Sequence, residues 1–352
     1  MFIVLAILAF GIIIAIHELG HYLSAKALNV KVNEFAIGMG PKLLYLQGKE
    51  TLYSLRALPF GGFCSMEGEH EEGEVPDPRS FLSQKRWRRI VILASGSIAN
   101  FIAAFIIIFI LTIGAQGFVG TTISEVIDGL PNEGPSELMV GDRIVELNGE
   151  RLYYHDDFNL LMRINADKPI SFTIERNGEL INYERRSYTV DGVEQFRYSI
   201  FFEVIDGGIW ETIKYSGYQT YSFVRMIRWS VAMMLSGAAS MQDLAGPVGI
   251  VSAMNTIGQE TVAESGFVAA VGNIVFFMAF IGVNVAVINL LPIPAMDGGR
   301  ILFTIVTWII EKISRRRLDP KYEGYINTGA FVLLLCLMVV ILYNDVVRLV
   351  GG

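Results

Sequence analysis

The chain has 352 residues, enough for one large domain or two ordinary ones, of which 52% are hydrophobic and only 18% charged. Soluble chains average about a quarter charged residues, so the composition points to a membrane protein carrying a soluble part. A net charge of −7 offers no basic surface and argues against a nucleic-acid partner, and two distant cysteines, Cys64 and Cys336, argue against a disulfide framework.

Four segments reach the roughly 20 apolar residues needed to cross a bilayer: Phe2–Ala27, then 90–114, 267–291 and 328–350. The first lacks a basic leader and stays apolar past His17 to Ala27, so it is read as a retained helix rather than a cleaved signal peptide. After it, residues 34–45 and 51–66 read as strands interrupted by Gly38, Gly40, Gly61 and Gly62. Their edges cannot face lipid unpaired, so they either pair with another extended chain or form an ordinary cytoplasmic hairpin. The acidic run 67–74 reads as a solvated loop.

Beyond the second apolar segment, 117–205 alternates apolar and polar residues over 122–126, 143–147 and 170–175, with Asn148-Gly149 and Asn177-Gly178 as turns. This predicts a small β-rich domain. Residues 209–239 mix Trp210, Tyr215, Tyr218, Tyr221 and Trp229 with Lys214, Arg225 and Arg228, which suits a helix lying in the membrane interface; a span there would add one crossing. Lysines and arginines gather between the first two apolar segments and between the last two, predicting that both loops are cytoplasmic, with the termini and the β-rich domain outside.

The chemistry concentrates in His17-Glu18-Leu19-Gly20-His21. Residues four apart share a helix face, so both imidazoles can bind one metal, with Glu18 beside them in reach of a water; this is the content of HExxH. A charge within a spanning helix costs about 2.5–3.5 kcal/mol on insertion scales, so such residues mark function by default; the plain alternative is a polar helix–helix contact. A catalytic zinc takes three protein ligands. The chain has four histidines, and His70 and His155 fall in polar loops, so the third ligand is expected to be a carboxylate. Asp297, in Asn289-Leu-Leu-Pro-Ile-Pro-Ala-Met-Asp297-Gly-Gly, is the best candidate; the alternative is a helix-capping aspartate in a loop. Depth favours the ligand: at 1.5 Å per residue, His17 lies roughly 24 Å from the outer helix end, and the third apolar segment descends from the same side to Asn289. Asn100 and Asn289 are amides at membrane depth, able to hydrogen-bond an extended backbone or to serve as interhelical glue.

At these residues the chain resembles the site-2 protease family (peptidase family M50), in its bacterial, PDZ-containing branch of the regulator of sigma-E protease type. The resemblance rests on His17-Glu18-Leu19-Gly20-His21, Gly38-Met39-Gly40-Pro41, Gly61-Gly62, Gly96-Ser97-Ile98-Ala99-Asn100, Gly246-Pro247-Val248-Gly249 and the Asn289–Gly299 stretch, in family order along nearly the whole chain. The run from Val140 through Gly149 resembles a PDZ domain. There are departures: Met39 and Met296 replace the usual aromatic and leucine, and residues 131–138 do not follow the helix-forming pattern of a PDZ domain.

The resemblance implies an α-helical polytopic membrane protein of four transmembrane helices, with a cytoplasmic-side β-hairpin and an inserted extracytoplasmic PDZ-like α+β domain. It divides the chain into a catalytic half at 1–115, a PDZ-like domain at 116–206, a juxtamembrane amphipathic segment at 207–265 and a second membrane half at 266–352. It implies one zinc ion per chain on His17, His21 and Asp297, Glu18 as catalytic acid and base, and substrate handling by Asn289, Asn100, Gly38, Gly40, Gly61 and Gly62. The implied enzyme is an intramembrane zinc metalloendopeptidase of the bacterial cytoplasmic (inner) membrane, active near the cytoplasmic face. Its substrates would be single-span membrane proteins, such as an anti-sigma factor or a signal-peptide remnant, trimmed first by a site-1-type protease. Two other classes compete. An idle scaffold with a structural metal has no use for Glu18, and a transporter has no use for HExxH and should show repeated halves.

Overall fold

The computed structural model describes residues 2–69, 77–126, 138–165, 170–185, 188–190, 193–195, 200–237, 246–314 and 321–351. The chain divides into two compact units, one of Met1–Leu111 with Phe223–Gly352 and one of Thr112–Ser222.

In the first unit, helix α1 (Phe2–Ala27) keeps every backbone bond inside the segment, as a lipid environment demands. It ends where Asn29 takes a left-handed φ of 61°. The Val30 amide returns to the Ala25 carbonyl at 2.8 Å and the Asn29 amide to Lys26, closing the helix with a Schellman turn that sends the chain into a sheet. Strands β1 (Val32–Gln47) and β2 (Leu52–Met66) are long and bent, so each contributes two segments. By register, 32–37 lies between 62–66 and 52–55, and 42–47 pairs the far side of 52–56. The result is four paired segments whose edges are 62–66 and 42–47, the latter with Leu43, Leu44, Tyr45 and Leu46 exposed. Strand β1 runs two residues beyond its predicted limits at each end and β2 starts one residue later than predicted, and the glycines bend them rather than break them: Gly38, Gly40 and Gly61 all have φ above 80°.

Helix α2 (Arg86–Thr112) passes so close to α1 that Gly20 abuts the Ser95 carbonyl, a small-residue contact typical of membrane helices. Buried Ala25, Val30, Val32, Cys64, Met66, Phe81, Ile92 and Leu93 make one core where α1, the sheet and α2 meet.

The second unit holds a sheet ordered β10-β3-β4-β6-β7, from β3 (Gly117–Val126), β4 (Arg143–Leu147), β6 (Ile170–Arg176), β7 (Glu179–Arg185) and β10 (Ile200–Asp206). Strand β5 (Glu150–Arg151) pairs β4, and β8 (Tyr188–Val190) pairs β9 (Val193–Gln195). The predicted Asn-Gly turns join β4 to β5 and β6 to β7, with both residues of each at positive φ, as tight hairpins require. Helix α3 (His155–Ile164) closes the core of Ile144, Leu147, Leu161, Phe172 and Ile174, so His155 opens a helix rather than lying in a loop.

Helix α4 (Ile209–Leu235) begins in this unit and continues into the first. Two of its tyrosines also stack on aromatic rings of this unit. Tyr215 stacks on Phe118 with centroids 4.4 Å apart, and Tyr218 stacks on Tyr153. The Tyr154 hydroxyl donates to Glu211.

The rest of the first unit is helical: α5 (Pro247–Ser265), α6 (Phe267–Leu290), α7 (Asp297–Ser314) and α8 (Lys321–Gly351). Phe2, Ala6, Ala9 and Ile13 of α1 pack with Met254 of α5 and Ala270, Ile274 and Ile281 of α6. Asp345 of α8 accepts the Gly246 and Gly249 amides, a carboxylate on the positive end of α5. Among the described residues, four helices are long and apolar enough to cross a membrane: α1, α2, α6 and 324–345 of α8. The basic loop expected between the last two spans is in part a helix, α7, which begins at Asp297.

Candidate metal centre

Helix α1 turns His17 and His21 to one side, their Nε2 atoms 3.2 Å apart. After α6 ends, the chain folds back through Pro292 and Pro294, with Ala295 at φ 73°, and starts α7 at Asp297. Gly298 and Gly299 lie against the carbonyls of Leu290, Leu291 and Ile293, leaving no room for a Cβ. That tight return places Asp297 Oδ2 3.1 Å from His17 Nε2 and 3.2 Å from His21 Nε2. His17 and Asp297 thus meet across 280 residues of chain.

The donor set fits a divalent cation. The Ile92 carbonyl of α2 lies 2.8 Å from His21 Nδ1, and a carbonyl can only accept. A proton therefore sits on Nδ1, so a neutral His21 presents its Nε2 lone pair to the centre, the arrangement a metal-ligating histidine needs. With both imidazoles neutral and unprotonated at Nε2, two nitrogen atoms and one carboxylate oxygen face one another, and a cation between them resolves the repulsion. For zinc bonds of about 2.0–2.2 Å, tetrahedral ligands stand roughly 3.3 Å apart; the three separations here are 3.1, 3.2 and 3.2 Å. Among the described residues these three side chains are the group arranged to hold a metal.

Helix α2 completes the wall. A Cβ on Gly96 would lie 2.5 Å from His21 Nε2 and 2.8 Å from His17 Nε2. Gly96 is thus the point where a neighbouring backbone approaches the imidazole pair, a feature that composition and motif spacing do not reveal.

The three side chains open on a cavity of about 590 Å³ also lined by Ile14, Glu18, Phe63, Cys64, Ser65, Met66, Glu69, Leu93, Val285, Asn289, Ala295, Met296 and Arg300. Glu18 faces it and accepts the Cys64 amide. Because 62–66 is a sheet edge, that amide points away from the sheet toward the centre. Gly62 borders Glu18: a Cβ on Gly62 would lie 3.5 Å from Glu18 Cγ. Of the residues expected to handle substrate, Asn289 lines the cavity and Gly62 adjoins it; Gly38, Gly40, Gly61 and Asn100 do not line it. Asn100 is buried in α2. His155 packs beside Phe158 and Phe202 in the other unit, and His70 lies outside the described residues, as does most of 131–138. The acidic run, which reads as a solvated loop in sequence, is partly tied down: Glu67 pairs with Lys31 and Glu69 with Arg300.

The family model for peptidase family M50 matches residues 5–337. A Clostridium acetobutylicum protein, provisionally named a zinc metalloprotease, is 36% identical over 346 residues, covering 98% of this chain and 97% of its own. Zinc metalloprotease RasP of Geobacillus kaustophilus is 27% identical, covering 97% and 96%. The regulator of sigma-W protease RasP of Bacillus subtilis is 26% identical, covering 97% of each chain.

Proposed function

The chain belongs to peptidase family M50, the site-2 protease family, and is a zinc metalloprotease and integral membrane protein; from that premise we propose that it cuts the transmembrane segments of single-span membrane proteins. In this reading His17, His21 and Asp297 hold the zinc and Glu18 is the catalytic acid and base. Bound zinc supplies a Lewis acid that acidifies water and polarises a carbonyl. The Glu18 carboxylate takes the proton from the attacking water and delivers it to the amine nitrogen that leaves.

A helical substrate has its amides tied up in i→i−4 bonds, so it must unwind before attack. The 62–66 edge suits an unwound segment, because it lines the cavity and an extended chain can be added along a sheet edge. Asn289 stands where it can hold the same backbone. Gly62 leaves room beside Glu18, while Asn100 and the glycine bends at Gly38, Gly40 and Gly61 act less directly, by shaping the helices and sheet around it. The Thr112–Ser222 unit serves as the PDZ-like domain on the outer side, admitting substrates already trimmed by a site-1-type protease. The distribution of lysine and arginine supports this orientation in a bacterial cytoplasmic membrane, with the metal centre near the cytoplasmic face. An anti-sigma factor fits the substrate class, given the sigma-W regulator among the relatives; signal-peptide remnants share its chemistry.

One observation carries the reading: two imidazole nitrogens and a carboxylate oxygen converge at metal-ligand spacing in a cavity also walled by the 62–66 sheet edge. The test is cleavage of a tagged single-span helix by the purified protein in detergent. Cleavage should stop with a zinc chelator and return with zinc, and a Glu18→Gln variant should bind zinc without cutting. Cleavage that survives metal removal, or survives Glu18→Gln at the wild-type rate, would refute the assignment.

A further inference from the structure

Both imidazoles ride on one rigid helix, whereas Asp297 arrives from a distant part of the chain, so its place depends on what anchors the first turn of α7. We propose that the Arg300–Glu69 ion pair is that anchor: a positioning pair that sets Asp297 against the two imidazoles. The proposal rests on the assignment of His17, His21 and Asp297 as the zinc ligands.

Arg300 follows Asp297 by three residues, so the two share a face of α7 one turn apart. Its Nη1 donates to Glu69 Oε1 at 2.6 Å. The other Glu69 oxygen accepts the Met66 amide at 3.3 Å, so one carboxylate grips the end of the 62–66 edge and the first turn of α7 together. The Arg300 guanidinium also lies over the Phe81 ring, 5.4 Å from its centroid, and Phe81 is fully buried in the core that contains Cys64, Met66 and Leu93. Exposed ion pairs contribute little because solvent screens them and both chains lose freedom. Here Glu69 is 8% and Arg300 17% exposed, and both line the metal cavity. A second ion pair, Arg86–Glu311, also ties α7 to the first half of the unit. Glu311 lies roughly 21 Å along the helix from Asp297 at 1.5 Å per residue, too far to set the first turn. It is a built-in control for a clamp that merely staples.

The experiment uses the full chain in detergent, with zinc affinity read by competition against a chromophoric chelator, the melting temperature of the zinc-free protein, and kcat and KM on a single-span substrate. Asp297→Ala comes first: wild-type zinc affinity in that variant would sink the ligand assignment itself. With that assignment standing, Arg300→Gln and Glu69→Gln should each lose zinc affinity by about 10- to 100-fold, the usual effect of removing a group that orients a metal ligand. kcat should fall with KM nearly unchanged, the mark of a misplaced reacting group. Arg300→Lys should recover part of the affinity, and Arg86→Gln should leave it at the wild-type level. Zinc affinity within about twofold of wild type in Arg300→Gln overturns the proposal, as does an equal loss in Arg86→Gln, since either result would make the pair an ordinary staple.

Discussion

Asp142 and Asp297 are both withdrawn from solvent, one in each compact unit, and their surroundings differ in kind. Both oxygens of Asp142 are met by donors: Arg176 donates Nε and Nη2 at 2.7 Å each, and the Met139 amide donates at 2.8 Å. Asp297 meets two imidazole nitrogens, one of which, on a neutral His21, offers a lone pair rather than a proton. A buried carboxylate with matched donors stabilises a fold. One set against neutral imidazoles that turn lone pairs toward it is matched by a bound cation, and such arrangements gather at functional sites. Substitutions that treat the two units differently test this distinction.

The largest effect is expected from Glu18→Gln, which keeps the shape of the side chain and removes the base. Cleavage should fall by about 10²- to 10⁴-fold, while zinc content, measured by atomic absorption, stays at one per chain. Next comes Gly96→Ala. Its new Cβ would stand 2.5 Å from His21 Nε2, with helix backbones on both sides, so the imidazole pair must move. Overpacking of this kind costs about 1–3 kcal/mol. Zinc affinity should fall by about tenfold or more, since displaced ligands lose the orientation a metal needs. Neither change should alter hydrogen exchange within Thr112–Ser222.

The converse is Asp142→Asn. It leaves Arg176 facing a neutral partner and should destabilise the Thr112–Ser222 unit by about 1.5–3 kcal/mol, the range for hydrogen bonds to charged groups, with zinc affinity unchanged. Burial opposes the Asp142 charge, but the Arg176 bonds and the Met139 amide outweigh it and hold its carboxyl below the usual value. A depressed carboxyl stabilises the fold above the unfolded value of about 3.9 and withdraws that support as pH falls through the lower folded one. Pulsed hydrogen exchange at a series of pH values should therefore show the unit loosening below about pH 4, with the acid-dependent part missing in Asp142→Asn.

Much of this was open to inspection in the amino-acid order, and the remainder was hidden for identifiable reasons. His17, Glu18 and His21 stand at helical spacing within one apolar segment, so local geometry alone brings them together. Asp297 could be reached by depth, because membrane thickness and helix rise constrain where two segments end. Asn148-Gly149 and Asn177-Gly178 announced their hairpins because few residues accept positive φ in succession. Gly96 stood out only within a motif of the resemblance; its place beside the imidazoles, like the role of the Ile92 carbonyl, was not legible, since both act through the approach of one helix to another. Glu69 and Arg300 were hidden by their charge: a sequence shows acidic and basic runs, which usually mean solvent, and only packing shows that these two meet beside a cavity. Helix α3, ten residues long between strands, carries too few turns for its period to stand out.

The smallest predicted effect is the same substitution as one above, placed in the other unit. Gly217 lies within α4, in the portion belonging to Thr112–Ser222, and a Cβ there would meet nothing within 4 Å. Glycine inside a helix is about 0.8–1.0 kcal/mol less favourable than alanine, because the unfolded chain keeps more freedom. With no contact to offset that gain, Gly217→Ala should stabilise its unit by about 0.5–1 kcal/mol, read as slower hydrogen exchange along the first half of α4. Helix propensity favours alanine equally at Gly96, yet there the imidazoles occupy the space the methyl would take. Opposite signs for the two substitutions would separate a glycine retained for room at a metal centre from one that the fold could spare. A loss at both positions would mean that α4 needs its glycine for close approach as well, and the contrast between the two units would fail at that point.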